Sequence, residues 1–150
     1  MKHLIYVILV VGSLCTACSD EFFLERKEDR LIGVWEFEEA FFKEDGDVFR
    51  DNVYNDFRGD IIEFFPNYTA NYEDASLRAT FGGDWIIYVE RDGYDDDDDR
   101  AFFLDMTFYD FINQEEFTYF TSVNRLTNNN MNLIAHTRSG FYKFKLCRVN

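Results

Sequence analysis

From about residue 33 to the end of the chain, apolar and polar residues alternate with a period of two, interrupted by short polar turns. Trp35 and Phe37 alternate with Glu36 and Glu38. Ile62 and Phe64 lead into the turn pair Pro66-Asn67, after which Tyr68, Ala70 and Tyr72 alternate with Thr69, Asn71 and Glu73. Gly82-Gly83 precede a run in which Trp85, Ile87 and Val89 share a face, and Phe102, Leu104, Met106 and Phe108 stand against Asp105 and Thr107. Phe117, Tyr119, Thr121 and Val123 follow, then Met131, Leu133 and Ala135, then Tyr142, Phe144 and Leu146 opposite Lys143 and Lys145. Successive side chains of a strand point to opposite faces, so each segment offers one side to a core and one to water. Eight or nine such segments predict an all-β fold, an antiparallel up-and-down meander. Closure into a barrel of about 8 strands would remove its exposed edges. Val48–Phe57 fits either a strand or a loop at a barrel mouth.

The first residues follow a different rule. Lys2 and His3 precede the unbroken apolar run Leu4–Val11, and Gly12-Ser13 loosen the chain before Leu14-Cys15-Thr16-Ala17-Cys18. The run is too short to span a bilayer, which takes about 20 apolar residues, and Asp20 and Glu21 end it. Two cysteines separated by two residues also suit a redox or metal pair, but such thiols need a folded element to tune them. Leu14 to Cys18 resembles the signal box of bacterial lipoproteins, with Ala17 before the obligatory cysteine and Cys15 where leucine is usual. The resemblance implies removal of residues 1–17 and acyl chains, palmitate among them, on Cys18. Ser19-Asp20-Glu21 resembles the surface-export signal of Bacteroidota lipoproteins, which implies an outer-membrane, surface-exposed protein. Residues 18–30, mostly charged, are expected to form an acidic tether, and residues 31–150 the domain.

Cleavage after Ala17 leaves 133 residues, enough for one domain, with 14 basic and 29 acidic side chains and a net charge of −15. That field repels nucleic acid and anionic head groups and directs attention to neutral, cationic or apolar partners. All 18 Phe and both Trp lie in this part, so an apolar core needs no disulfide. Cys147 is its only cysteine besides Cys18.

Gly33-Val34-Trp35 at the first strand, followed by a meander ending in an aromatic and basic strand, resembles the lipocalin-like (calycin) barrels over roughly residues 30–149. The resemblance implies that Trp35 plugs the closed end of the barrel, with Gly33 opening the strand and Arg148 of the last strand packed over the ring. Such barrels often carry a short N-terminal helix and a C-terminal helix. The chain ends at Val149-Asn150, so no C-terminal helix is expected. The lumen would hold a small apolar or amphipathic ligand, with Tyr68, Tyr72, Trp85, Phe102, Phe108 and Tyr119 as candidate wall residues. The same side chains serve equally well as core, because barrels of this size are either filled or ligand-holding.

Conventional catalytic patterns are weak. Asp95–Asp99 could attract a hard cation, but the spacing lacks the central glycine and terminal glutamate of a calcium loop and fits a solvated hairpin. His136 and Ser139 lack a G-x-S-x-G context, and Ser139-Gly140 fits a turn. Glu115 and Glu116 are adjacent, so within a strand they face opposite ways. No enzyme activity, cofactor or metal is expected. The two functional readings are a ligand-binding barrel and a filled barrel used as a protein-interaction module through loops 43–60 and 91–100.

Overall fold

The computed structural model describes residues 21–91 and 100–149. The expectations for the signal segment, Cys18 and Asp95–Asp99 therefore lie outside the described residues. A helix, α1 (residues 21–31), leads into β1 (Gly33–Glu44). A two-residue strand, β2 (Asp51–Asn52), and a 3-10 turn (Tyr54–Asp56) follow. Then come β3 (Ile61–Phe64), β4 (Thr69–Asp74), β5 (Ala79–Arg91), β6 (Arg100–Asp110), β7 (Glu115–Leu126), β8 (Asn130–His136) and β9 (Gly140–Arg148). Each long strand pairs antiparallel with the next, and β1 pairs with β9 from Trp35↔Arg148 to Glu44↔Gly140. The result is a closed eight-strand meander barrel, with β2 added at the edge of β1. The ambiguous Val48–Phe57 stretch is thus mostly loop.

The alternation places one buried set inside: Trp35 and Phe37, Ile62 and Phe64, Leu104, Met106 and Phe108, Met131, Leu133 and Ala135, Phe144 and Leu146. Two bulges re-phase it. Between Phe37 and Glu39 the register of β1 shifts, so that Ala40 rather than Glu39 is the next buried residue. The extra residue leaves Glu38 and Glu39 both outside, where both reach Lys145 Nζ, at 3.1 and 3.3 Å. A second shift between Val123 and Arg125 similarly buries both Val123 and Leu126. Such insertions bend and twist a strand, which a barrel of eight strands requires. β5 starts earlier than the sequence pattern suggests and runs straight through Gly82-Gly83. A Cβ on Gly83 would collide with the backbone of Thr107 and Phe108, so glycine permits the close approach of β6 here.

Residues 21–30, expected as part of the acidic tether, are helical together with Leu31, and the helix is packed. Leu24, Lys27, Glu28 and Leu31 recur at helical spacing, and Leu31 is fully buried while Leu24 packs against the core. Lys27 Nζ lies 4.8 Å from the Phe102 ring centroid, and Tyr68 Oη donates to Glu28 Oε2 at 3.3 Å. The C-terminal carbonyls of a helix lack intrahelical partners. Here the barrel supplies them: Trp35 Nε1 donates to Leu31 O at 2.7 Å, and Arg148 donates through Nη1 to Ile32 O at 2.7 Å and through Nη2 to Arg30 O. Arg148 Nε also donates to Asn128 O at 2.5 Å, and its guanidinium lies 4.5 Å from the Trp35 ring centroid.

Gly33 explains the rest of the Gly-x-Trp pattern. Its φ of +130° is a conformation that side chains disfavour, and a Cβ there would strike the Arg148 guanidinium. Gly33, Trp35 and Arg148 thus meet at one end of the barrel, where α1 packs.

Trp35→Ala should cost about 3–5 kcal/mol, since the ring is wholly buried. Arg148→Lys keeps the charge but loses the fork, and should cost roughly 1–3 kcal/mol. Urea titrations of the two variants check both; an unchanged midpoint for Trp35→Ala would refute the closed-end assignment.

Candidate functional site

Strand polarity sorts the connections into two ends. The β3–β4 and β7–β8 connections share the α1 end. The long β1–β3 connection and the β4–β5, β6–β7 and β8–β9 turns share the other, where Asp45 N donates to Ser139 O at 2.9 Å. Of the two loops expected to carry an interaction surface, 43–60 emerges at the end away from α1, and 91–100 lies almost wholly outside the described residues. Among the described residues, the hollow that enters the barrel lies at the end away from α1.

That mouth holds a cleft of about 340 Å³. Its apolar walls are Phe57, Tyr72, Phe81, Phe117, Tyr119 and Leu77, and its acidic edge is Asp56, Asp74, Asp110, Glu115 and Glu116. Two other described hollows do not enter the barrel: one lies on the outer wall by Arg50, Lys143 and Lys145, the other by the β7–β8 turn.

Tyr72 is the hub of the apolar part. Its ring centroid lies 5.6 Å from that of Phe108, 6.1 Å from Phe81, 6.2 Å from Phe117 and 6.5 Å from Tyr119. Phe108 is fully buried beneath them, closing the cleft from below. From the other side Phe57, carried by the long connection, stacks on Phe37 at 5.3 Å and meets Phe144 edge-on at 5.0 Å.

One buried carboxylate fastens this arrangement. Asp60, 1% exposed, accepts a short hydrogen bond from Tyr72 Oη and another from Ala75 N at 2.9 Å. Its backbone carbonyl accepts from Phe37 N at 3.3 Å. A single residue thereby ties the long connection to β1, β4 and the β4–β5 turn. Burial, then the bond to Asp60, pushes the Tyr72 hydroxyl well above its ordinary pKa. Burial followed by the carboxylates of Asp60 and Asp74 pushes Tyr119 up to about 12. Both hydroxyls therefore stay protonated at neutral pH, and the negative charge of the mouth resides on its carboxylates.

The six candidate wall residues do not act as one group. Tyr72 and Tyr119 line the cleft and Phe108 floors it, but Tyr68, Trp85 and Phe102 belong to the α1 end. There Trp85 Nε1 donates to Phe65 O at 3.2 Å and its ring meets Tyr68 at 5.1 Å, so these three are corrected from lumen wall to closed-end packing. The reason is position along the strand: period two identifies the inward face but not the height on it.

Phe57, Phe81, Phe117 and Asp60 complete the site and were not singled out from the sequence. Asp60 was detectable, since it stands in phase with the inward-facing Ile62 and Phe64.

The other candidate chemistry stays apart. His136 is exposed and packs its ring against Phe141, and Ser139 sits in the β8–β9 turn as expected. Cys147 is free, and burial, with Glu38 and Glu36 nearby, raises its thiol pKa, which makes it a poor nucleophile. Among the described residues no three or more His, Cys, Asp or Glu come together to hold a metal ion.

No protein-family model, no curated protein and no solved structure matches this chain.

Tyr72→Phe removes one of the two donors to the Asp60 carboxylate and should lower stability by about 1–3 kcal/mol. Tyr119→Phe, which leaves Asp60 with both donors, should cost less. Paired denaturation curves check the order; equal losses would show that the Asp60 bond does not hold the mouth together.

Proposed function

We propose that the protein is a lipid-anchored, lipocalin-like binding protein of the outer membrane, displayed at the cell surface through acyl chains on Cys18. Its barrel mouth receives a small ligand. The observation that carries the binding reading is the cleft of about 340 Å³, walled by aromatic rings, at the end of the barrel away from α1. That size lies at the lower end of the roughly 300–1,000 Å³ typical of small-molecule pockets, which are walled by apolar side chains with a few polar groups. Below the cleft the lumen is occupied by Phe108, Trp85 and their neighbours, so a long hydrocarbon chain has no path through the barrel. A short apolar or amphipathic molecule suits the available depth. In this reading the protein binds and does not catalyse.

A second reading is favoured by a separate observation. Val48, Phe49, Leu77, Phe111 and Ile112, on three connections around the same mouth, are 67–91% exposed. Apolar tips of this kind on loops suit a protein partner docking over the mouth. The two readings are compatible if the partner delivers or receives the ligand.

Native mass spectrometry of protein purified from its own membrane should show a one-to-one adduct, reduced in Leu77→Trp, which fills the mouth from an exposed position. Repeatedly empty wild-type protein would sink the ligand reading. Intact mass should also show acyl chains, lost together with membrane association in Cys18→Ala. An unmodified wild-type N-terminus would remove the anchor.

A further inference from the structure

The charge around the cleft is one-sided in a way that follows from strand register. On β4 the inward series Ala70, Tyr72 ends in Asp74. On β6 the series Leu104, Met106, Phe108 ends in Asp110, and on β7 the series Val123, Thr121, Tyr119, Phe117 ends in Glu115. Three strands of the wall, β4, β6 and β7, thus end their inward series in a carboxylate at the mouth, and Asp110 and Glu115 are register partners. Glu116 and Asp56 add two more, and no Lys, Arg or His lines the cleft. None of the five carboxylates takes part in an ion pair with a described residue. Asp74 and Asp110 accept turn hydrogen bonds, from Leu77 N at 2.8 Å and from Ile112 N at 2.9 Å; neither is neutralised by them. Asp110 is in fact held below its ordinary pKa by the Asn113 and Ile112 donors.

Resting on the reading of the mouth as a ligand cleft, we infer that its ligand is a small amphipathic organic cation, an amine or quaternary ammonium with an apolar body. The aromatic rings accept the apolar body and attract the cation through their negative faces, which is where quaternary ammonium groups are recognised. The carboxylates supply the compensating charge at the entrance and raise the local concentration of cations. A bare metal ion fits less well, because hard cations need several oxygens converging on one point and the rim carboxylates are spread around the opening. An anionic amphiphile would bring its head group against five carboxylates.

Three short amphiphiles with the same tail separate the possibilities: octyltrimethylammonium, octyl glucoside and octyl sulfate, each titrated calorimetrically below its micelle concentration. The cation should bind one-to-one and at least about tenfold tighter than the neutral glucoside, with the sulfate weakest. Glu115→Gln with Glu116→Gln removes two rim charges that make no hydrogen bond in the fold, and should weaken the cation about tenfold while leaving the glucoside unchanged. Glu73→Gln with Glu90→Gln removes the same net charge from the outer wall and should change the cation's affinity by less than about twofold.

Equal binding of cation and glucoside would overturn the cationic class while keeping the ligand cleft. Binding of none of the three would overturn both. An equal loss in the two double variants would show attraction to the protein's net charge and would also overturn the proposal.

Discussion

Three consecutive backbone carbonyls at the end of α1, those of Arg30, Leu31 and Ile32, find their donors on the barrel rather than in the helix. Left without partners in a site that excludes water, each such group would cost about 1–3 kcal/mol. Trp35 and Arg148 satisfy them while stacked on one another, and the arginine places positive charge where the helix dipole is negative. The same contact closes one end of the barrel, fixes the approach of the first and last strands, and dictates glycine at position 33. With α1 packed across this end, the cleft lies at the opposite one.

That cleft is narrow for a mechanical reason. Eight strands enclose little more than the space their inward side chains fill, and here the inward side chains are mostly large. Phe64, Trp85 and Phe108 occupy the depth, and Phe57 reaches in from the long connection to cover part of the top. What remains free is a shallow, ring-walled hollow rather than a channel. Asp60 belongs to this economy of space: a small carboxylate, bound by Tyr72 and Ala75, lets the connection turn inward where a larger side chain would displace an aromatic ring.

Period-two alternation made the strands and the inward set legible because half-buried antiparallel strands express it directly. Gly33, Trp35 and Arg148 were legible from their resemblance to a known barrel end. The helix was not: the charged residues of 21–31 outnumber the few that face the barrel, and only Leu24 and Leu31 mark the packed side. The bulges were not legible either, since they depend on how β1 and β7 must bend to meet their neighbours. In the cleft, Tyr72, Phe108 and Tyr119 came from pattern alone. Asp74, Asp110 and Glu115 stood in phase with them but could be grouped only once the strand order brought their ends to one mouth. Asp56 and Glu116 obey no alternation and join through the geometry of a turn and a strand end.

The bond from Arg148 to Ile32 spans 116 residues of chain. β1 likewise finds β9, its closing partner, only across nearly the whole domain. In kinetic terms this is a fold of high contact order, in which the entropy of joining distant segments is spent before the contacts that offset it exist. A chain that emerges N-terminus first exposes an unpaired β1 edge and an uncapped helix until its final strand arrives. The plug is thus the first part of the domain to be made and among the last that can be completed.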